Sequence, residues 1–308
     1  MKVAVVGAGG VGSVFGGRLA AAGHEVWLVH RRREVVEALR SHGLQLEAAN
    51  GGHTERIALQ ATDSTSEIGE VDLALILTKS TSTRAAAEAS RCILGADSVA
   101  LTLQNGLGNL EIMAEVLGSK RVLLGMTYAG ASLVGPGRVR HTAIGQTFVG
   151  EPTGQHSLRA DHVARTFSNA GMPTQATDRL WEMVWGKLVI NAAMNATCAL
   201  TGASGEAALR SGSASAWLDL VAEETAAVAA ALGISLPYPD AAARVRKHCQ
   251  DVGQSKPSML QDMERGRPTE IEAINGSIVR EGARLGVPTP HNQALLLLVK
   301  AREEIQQG

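Results

Sequence analysis

The sequence predicts an α/β fold in which a doubly wound parallel sheet is followed by an all-α helical domain. Short apolar runs alternate with segments of helix length in the first half, and a glycine-rich turn follows the first run. The second half is rich in Ala and Leu and lacks β-branched alternation. The 308 residues are about twice the usual length of one domain. We therefore expect two domains, residues 1–175 and 176–308.

The composition is typical of a folded, soluble, cytoplasmic protein. Apolar residues make up 45% of the chain and charged residues 19%, which excludes a disordered or collagen-like polypeptide. The net charge of −1 gives no field that would attract nucleic acid or an anionic membrane. Three widely spaced cysteines without a CxxC pair favour neither a disulfide framework nor a metal site. Met1–Gly7 is typical of a strand rather than a signal peptide, and no apolar run is long enough to span a bilayer.

The first half is expected to contain strands that helices cover on both faces. Segments Val11–Ala22 and Arg33–His42 are long enough for the crossover helices. Leu44–Ala49 and Thr54–Gln60, separated by Asn-Gly-Gly, predict a hairpin inserted at an edge of the sheet. Turn residues within 122–150 predict antiparallel strands that close the domain. Four apolar runs have the length of strands: Lys2–Gly7, Glu25–His30, Val71–Thr78 and Ser98–Leu103.

The second half predicts a helical domain. Thr269 is the predicted cap of the helix that starts at Glu270, and Ser258 has a similar capping interpretation after Pro257. Apolar helices here could pair across a homodimer or form the domain core, so the oligomeric state stays open. The predicted helices are Arg179–Leu200, Ala214–Leu232, Pro239–Asp251, Glu270–Leu285 and Asn292–Gln306.

A dinucleotide-binding motif follows the first strand. The sequence Gly7-Ala8-Gly9-Gly10-Val11-Gly12 fits the G-x-G-x-x-G pattern, opens a helix, and precedes a second strand. Gly7 permits the tight turn, Gly9 lets backbone N–H groups approach a pyrophosphate, and Gly12 allows close packing of helix on strand. The alternative is a glycine-rich turn without a ligand.

The end of the second strand favours NADPH over NADH. NAD sites usually place a carboxylate there, whereas this chain has Arg31, Arg32 and Arg33, with its first acid at Glu34. Guanidinium groups suit a 2′-phosphate, and Arg31 is the preferred candidate. The alternative is a solvated basic start of the next helix.

Polar side chains also follow two other strands. Lys79 could reach phosphate or ribose oxygens of the cofactor, and Asn105 could hydrogen-bond ribose or substrate. Both follow strands whose carboxyl ends we expect at one edge of the sheet, where ligands of doubly wound folds bind. Ordinary solvated loop residues are the alternative.

A set of reacting groups is predicted on the first long helix of the second half. Lys187, Asn191 and Asn195 recur every four residues and therefore share one helix face. An ammonium and two amides suit a carboxylate and a carbonyl, and a hydrated helix face is the alternative. Sequence spacing alone does not place Glu270 or Ser258 beside Lys187.

Over nearly its whole length, the chain resembles the ketopantoate reductase (2-dehydropantoate 2-reductase) family. The lysine–asparagine block and the late Ser-Met-Leu-Gln-Asp to Thr-Glu-Ile pairing are its most specific motifs. The resemblance is carried by the glycine motif, Lys79, Gln104–Gly108, Gly137–His141, Trp185–Asn191, Glu223-Glu224, Ser258–Asp262, Thr269–Glu272 and Ile274–Gly276.

The resemblance implies NADPH-dependent reduction of ketopantoate to (R)-pantoate in pantothenate and coenzyme A biosynthesis. It implies that Lys187 is the general acid and that Glu270 shares its site. The implied substrate contacts are Asn105, Asn191, Asn195, Ser204 and Ser258. The implied cofactor contacts are Gly7, Ala8, Gly9, Gly10, Val11, Gly12, Arg31, Lys79, Asn105, the backbone at Ala131, and Glu270.

One position departs from the family pattern, because Ser204 precedes Gly205-Glu206 where the family often has an asparagine. The departure leaves the choice of substrate open. One alternative is a related reductase of another 2-oxo acid, or a β-hydroxyacid dehydrogenase. A protein of another class, an NADPH-binding sensor without turnover, is the second alternative.

Overall fold

The computed structural model describes residues 1–48 and 52–307. The chain forms two compact units. The first contains residues 1–104 and 109–180, and the second contains residues 105–108 and 181–308. The predicted turn at Asn50-Gly51 lies outside the described residues.

The first unit contains an eight-stranded sheet. Its strands are β1 (Lys2–Val6), β2 (Glu25–Val29), β5 (Gln60–Thr62), β6 (Val71–Ile76), β7 (Leu94–Thr102), β8 (Val122–Thr127), β11 (Thr147–Gly150) and β12 (Thr174–Ala176). Their order across the sheet is β12-β11-β8-β7-β6-β1-β2-β5. The six strands from β8 to β5 pair in parallel, whereas β11 is antiparallel to β8.

The order of the strands confirms the predicted doubly wound fold. The chain moves from β1 outward to β2 and then returns to place β6 on the other side of β1. The turn after β1 therefore lies where the winding reverses, the position at which such sheets bind ligands. Along β1, residues 3–6 are buried, which explains why the run is apolar on both faces.

Helices cover the sheet of the first unit. Phe15 on the first helix and Phe167 on the fifth meet edge to face, with ring centroids 5.2 Å apart. Both rings are fully buried, so this pair is part of the core. The helices are α1 (Gly10–Ala21), α2 (Arg33–His42), α3 (Thr83–Ser90), α4 (Asn109–Leu117) and α5 (Leu158–Asn169).

A separate four-stranded sheet corrects the prediction of an edge hairpin. Its strands β3 (Leu44–Glu47), β4 (Thr54–Ile57), β9 (Gly130–Gly135) and β10 (Arg138–Ala143) have the order β4-β3-β10-β9. The antiparallel pairing of β3 with β4 is confirmed, but the pair belongs to this second sheet. The predicted strand 54–60 ends at Ile57, and Gln60 starts β5, which pairs with β2. The alternation of apolar and polar residues along a strand does not show which other strand it pairs with.

The antiparallel prediction for residues 122–150 holds for the strand pairs formed within that region, but one of its strands also pairs in parallel outside it. β8 pairs in parallel with β7, because α4 supplies the crossover between them. The pairs formed within the region are antiparallel, β9 with β10 and β11 with β8.

The described part of the second unit is helical, as predicted. Its helices are α6 (Leu180–Thr201), α7 (Gly205–Arg210), α8 (Gly212–Ala231), α9 (Ala241–Val252), α10 (Ser258–Glu264), α11 (Asn275–Leu285) and α12 (Pro290–Gln307). Among the residues described, no helix has both the length and the apolar character needed to cross a membrane.

The predicted start of α11 at Glu270 was wrong. Residues 270–274 form turns, and the helix begins at Asn275. Thr269 caps no helix there; its hydroxyl accepts a hydrogen bond from the N–H of Ile271 at 3.2 Å. The carbonyl of Ala273 accepts the N–H of Leu107, from a distant loop, at 2.8 Å. This tertiary hydrogen bond favours a turn that local propensity does not predict.

A buried carboxylate holds the start of α12. Glu224, on α8, accepts backbone N–H groups of His291 and Asn292 at 2.9 and 2.8 Å. It also accepts the side-chain amide of Asn292 at 2.8 Å and lies 2.7 Å from Nδ1 of His291. The carboxylate thereby satisfies N–H groups that have no acceptor within their own helix.

Replacing Glu224 by Ala is expected to lower the free energy of unfolding by about 2–4 kcal/mol, because buried donors then lose their acceptor. Urea unfolding followed by circular dichroism measures the change. The matched control is Glu223→Ala, which alters an exposed neighbour on the same helix and should cost less than about 0.5 kcal/mol. Equal losses in the two variants would contradict the capping role.

Candidate active site

The glycine turn after β1 requires glycine at two positions. Gly7 has a φ of +103°, and a Cβ there would lie 2.4 Å from the backbone nitrogen of Thr78. A Cβ on Gly12 would lie 2.4 Å from the carbonyl oxygen of Gly7. The turn therefore packs tightly against both its own helix and the end of β6.

The outer side of this turn suits an anionic group. A Cβ on Gly9 would meet nothing within 4 Å, and no side chain caps the start of α1 at this residue. The first N–H groups of a helix have no intrahelical acceptor and carry partial positive charge, so they can bind a phosphate. The start of α1 is therefore left open beside Gly9, and phosphate binding there stays a prediction.

Two other predicted cofactor residues lie close to the turn. A Cβ on Gly10 would lie 3.0 Å from the carbonyl oxygen of Ala131, on β9. Lys79 is exposed directly after Thr78, whose backbone packs against Gly7. The remaining members of the motif differ in exposure, since Ala8 is buried and Val11 is only partly buried.

The three arginines after β2 have different partners. Arg32 pairs with Glu34 at 3.1 Å, and Arg33 pairs with Glu37 at 3.2 Å. In the described ranges, 1–48 and 52–307, no such ion pair involves the exposed Arg31. Its guanidinium therefore loses no carboxylate partner on meeting an external anion.

His30 lies beside these arginines, in surroundings that favour its neutral form. Its Nδ1 accepts the backbone N–H of Arg32 at 3.1 Å. Burial lowers the pKa of His30, and the positive charges of Arg32 and Arg31 lower it further. An uncharged imidazole adds no fixed charge at this strand end.

A hydrogen-bonded cluster in the second unit contains Lys187, Asn105 and Glu270. The ammonium of Lys187, on α6, donates to Oδ1 of Asn105 at 2.7 Å. Nδ2 of Asn105 in turn donates to Oε2 of the buried Glu270 at 3.4 Å. We call these three side chains the lysine cluster.

Loop 105–108 belongs to the helical unit, which the sequence did not predict. Asn105 was expected to act from the edge of the sheet. In the structure, the N–H of Leu107 donates to the carbonyl of Ala273, in the turn that also contains Glu270. The loop that carries Asn105 and the turn that carries Glu270 are therefore joined by a backbone hydrogen bond.

The surroundings of Lys187 make its ammonium a stronger acid. Burial lowers the pKa of Lys187 to about 8, while the carboxylate of Glu270 opposes the shift. Burial likewise lowers the pKa of His248 to about 4, with contributions from Arg244 and from Lys187. Lys187 can thus release a proton near neutral pH, whereas His248 is uncharged there.

The two predicted asparagines lie further along α6. Asn191 is partly buried and Asn195 is buried, one and two helical turns beyond Lys187. Ser204 caps α7, where its Oγ accepts the N–H of Ala207 at 3.2 Å. Ser258 is exposed as the first residue of α10, and Pro257 occupies the N-cap position, so the capping interpretation of Ser258 was wrong. The substrate-binding roles of these residues stay predictions.

Two residues near Lys187 belong to no sequence motif and were not predicted as part of the site. Tyr238 donates to the carbonyl of Gly186, and His248 is close enough for its pKa to respond to the charge of Lys187. Both are distant from Lys187 along the chain and belong to no motif. Only the packing of the helical unit brings them to this position.

The lysine cluster can transfer a proton to a developing negative charge. An acidic ammonium that a neutral amide orients is suited to donate to an oxygen that gains charge. Glu270 supplies a carboxylate that stabilises the ammonium before transfer. Proton donation to a carbonyl oxygen during reduction is the chemistry that this arrangement supports best.

Comparisons with known proteins found matches over nearly the whole chain. Residues 3–154 match the family model described as "Ketopantoate reductase PanE/ApbA", and residues 179–303 match the model of its C-terminal part. The chain is 34% identical to the 2-dehydropantoate 2-reductase of Archaeoglobus fulgidus, over 98% of both chains.

Two solved structures are similar over the full length of this chain and of their own. A PanE/ApbA family ketopantoate reductase from Ralstonia eutropha JMP134 has a TM-score of 0.92 at 36% identity. A D-mandelate dehydrogenase in a ternary structure with NADH and anilino(oxo)acetate also has a TM-score of 0.92, at 29% identity.

Alanine substitutions in the glycine turn should separate packing from ligand access. Gly12→Ala is expected to lower the melting temperature, because its Cβ would lie 2.4 Å from a backbone oxygen. Gly9→Ala should leave the melting temperature almost unchanged, since its Cβ meets no atom of the protein within 4 Å. Differential scanning calorimetry of the two variants measures the contrast. A larger loss for Gly9→Ala would contradict this account of the turn.

Proposed function

The chain belongs to the ketopantoate reductase family of oxidoreductases acting on CH–OH groups, and on that premise we propose that it reduces ketopantoate to (R)-pantoate with NADPH. This reaction is a step of pantothenate and coenzyme A biosynthesis. The observation that carries the proposal is the hydrogen bond from Lys187 to Asn105, which orients an acidic ammonium. In this proposal residues 1–175 bind the nucleotide and residues 176–308 bind the substrate.

Residues of the first unit would hold the dinucleotide. The N–H groups at the start of α1, next to Gly9, would bind its pyrophosphate, and the Ala131 carbonyl and Lys79 lie near the same turn. The bound dinucleotide supplies the hydride that reduces the carbonyl carbon. The relatives described above support a nicotinamide cofactor, since the ternary mandelate dehydrogenase structure includes NADH.

Arg31 would select NADPH. A 2′-phosphate adds negative charge where NAD sites usually carry an acidic residue, and this chain has no acid before Glu34. Arg32 and Arg33 already pair with glutamates, which leaves Arg31 as the best candidate for the phosphate.

Lys187 would act as the general acid. Its ammonium donates a proton to the substrate oxygen as negative charge develops there, and it becomes a neutral amine. Asn105 keeps the ammonium oriented, and Glu270 stabilises its charge before transfer. Solvent must return the proton before the next turnover.

Amide and hydroxyl groups of the second unit would orient the substrate. Asn191 and Asn195 follow Lys187 along α6 and offer N–H donors to a carboxylate or hydroxyl. Ser204 accepts a backbone N–H, so its own hydroxyl proton remains available for the substrate. The exposed hydroxyl of Ser258 can donate or accept.

A second candidate function is the reduction of another 2-oxo acid. The similarity to D-mandelate dehydrogenase and the serine at position 204 favour it over an NADPH-binding sensor without turnover. Initial rates with ketopantoate, benzoylformate and 2-oxoisovalerate, each with NADPH and with NADH, distinguish the candidates. A higher kcat/KM for either of the other acids would overturn the ketopantoate assignment.

Replacing Lys187 by Ala should lower kcat/KM for ketopantoate by about 10²–10⁴-fold, the usual contribution of one proton-transfer group. NADPH binding, measured by fluorescence, should change little. In the native enzyme kcat/KM should fall as the pH rises above about 8, because only the protonated ammonium is competent. Near-normal turnover by the variant, or a flat profile across this pH range, would remove Lys187 from the mechanism.

Replacing Arg31 by Ala should lower kcat/KM for NADPH by about 10- to 100-fold, because a charge-assisted hydrogen bond to phosphate is lost. The value for NADH should change little. Arg33→Ala is the matched control, since its guanidinium pairs with Glu37. If Arg33→Ala has the larger effect on NADPH, the phosphate is held by that residue and not by Arg31.

A further inference from the structure

We propose that Tyr238 is a positioning residue for Lys187, acting through a hydrogen bond to the helix backbone one residue before it. The inference rests on the proposed function, in which Lys187 is the proton donor. Tyr238 lies in the segment 232–240 between α8 and α9, which we call the strap. The strap contacts α6 at Gly186.

The contact is a direct hydrogen bond with close packing. The hydroxyl of Tyr238 donates to the carbonyl oxygen of Gly186 at 2.8 Å. A Cβ on Gly186 would lie 2.8 Å from Cγ of Pro237 and 3.4 Å from a ring carbon of Tyr238. The strap can approach the helix this closely only because residue 186 has no side chain.

This hydrogen bond is not needed to satisfy the helix. The carbonyl of Gly186 lies in the interior of α6, where the N–H of Ile190 is its regular donor. By contrast, Arg302 donates to the carbonyls of Ala199 and Leu200 near the helix end, where carbonyls lack intrahelical donors. A second donor on an interior carbonyl therefore serves to hold the helix against the strap.

The glycine itself indicates the same role. Glycine in a helix interior costs about 1 kcal/mol relative to alanine. The chain accepts this cost at position 186, directly before Lys187, whose ammonium must be positioned for proton transfer. Its consequence is the contact with Pro237 and Tyr238, which a larger residue would prevent.

The position of α6 around residue 186 determines where the ammonium of Lys187 lies. Its 2.7 Å hydrogen bond to Asn105 tolerates little displacement. Glu270, from the turn before α11, and His248, from α9, are titratable groups whose charges interact with that of the ammonium. A small shift of the helix would lengthen the bond to Asn105 and admit water.

The test uses two variants that act on this contact from opposite sides. Tyr238→Phe removes the hydroxyl, and Gly186→Ala displaces the strap by steric contact. Each should lower kcat with ketopantoate by about 3- to 10-fold, the range of a single hydrogen bond, and leave NADPH affinity unchanged. The kcat of the double variant should be no lower than that of the less active single variant, because both substitutions disrupt the same interaction.

Thr201→Val is the matched control. It deletes another hydroxyl that donates to a carbonyl of α6, that of Thr197 at 2.8 Å, at the far end of the helix. Its kcat should equal that of the native enzyme even if its melting temperature falls by the same amount as that of Tyr238→Phe.

A second readout is independent of turnover. Labelling of Lys187 with acetic anhydride across a range of pH, followed by peptide mass spectrometry, reports the pKa of its amine. The native value should be about 8, and Tyr238→Phe should raise it toward the ordinary value of 10.5, because water reaches the displaced ammonium. Thr201→Val should leave it unchanged.

The possible outcomes separate this proposal from the proposed function. Native-like kcat and labelling in Tyr238→Phe and Gly186→Ala, or the same kinetic loss in Thr201→Val, would overturn the positioning role. If the native protein does not reduce ketopantoate but the labelling shifts as expected, the positioning role stands and the substrate assignment fails. If Tyr238→Phe does not fold, Gly186→Ala provides the same two measurements.

Discussion

The hydrogen bond between the ammonium of Lys187 and the amide of Asn105 is the interaction on which the rest of the site depends. An ammonium removed from water loses hydration, which favours its neutral form and makes it a better acid. The amide oxygen and the carboxylate of Glu270 restore part of the lost stabilisation and keep the group charged at neutral pH. Lys187 is therefore protonated at neutral pH, and burial makes its ammonium more acidic than that of an exposed lysine.

Helix α6 provides the rigid support for this chemistry. Side chains from three other segments donate to its backbone carbonyls, Tyr238 to Gly186, Asn275 to Ala192, and Arg302 near its end. Asn275 also starts α11, directly after the turn that contains Glu270. The helix that carries the lysine and the segment that carries the carboxylate are thus joined by a side chain without exposure to solvent.

The parts that could be predicted depend on local patterns. The glycine turn and the common face of Lys187, Asn191 and Asn195 follow from motif spacing and helical periodicity. The turn at residues 270–274 could not be predicted, because its backbone hydrogen bond comes from Leu107. The pairing of β5 with β2 was missed for a related reason: strand partners depend on contacts across the sheet, not on neighbours in the chain.

The amino-acid sequence alone was enough to predict a doubly wound sheet and a helical second half, and it offered candidate residues for dinucleotide binding and proton transfer. Periodicity and glycine placement act over a few residues, so they can be read directly from the chain. Folding decided that Asn105 joins the helical unit, that Glu270 precedes its helix, and that a tyrosine contacts the backbone beside Lys187. These contacts join residues far apart in the chain, where only packing and burial select the partner.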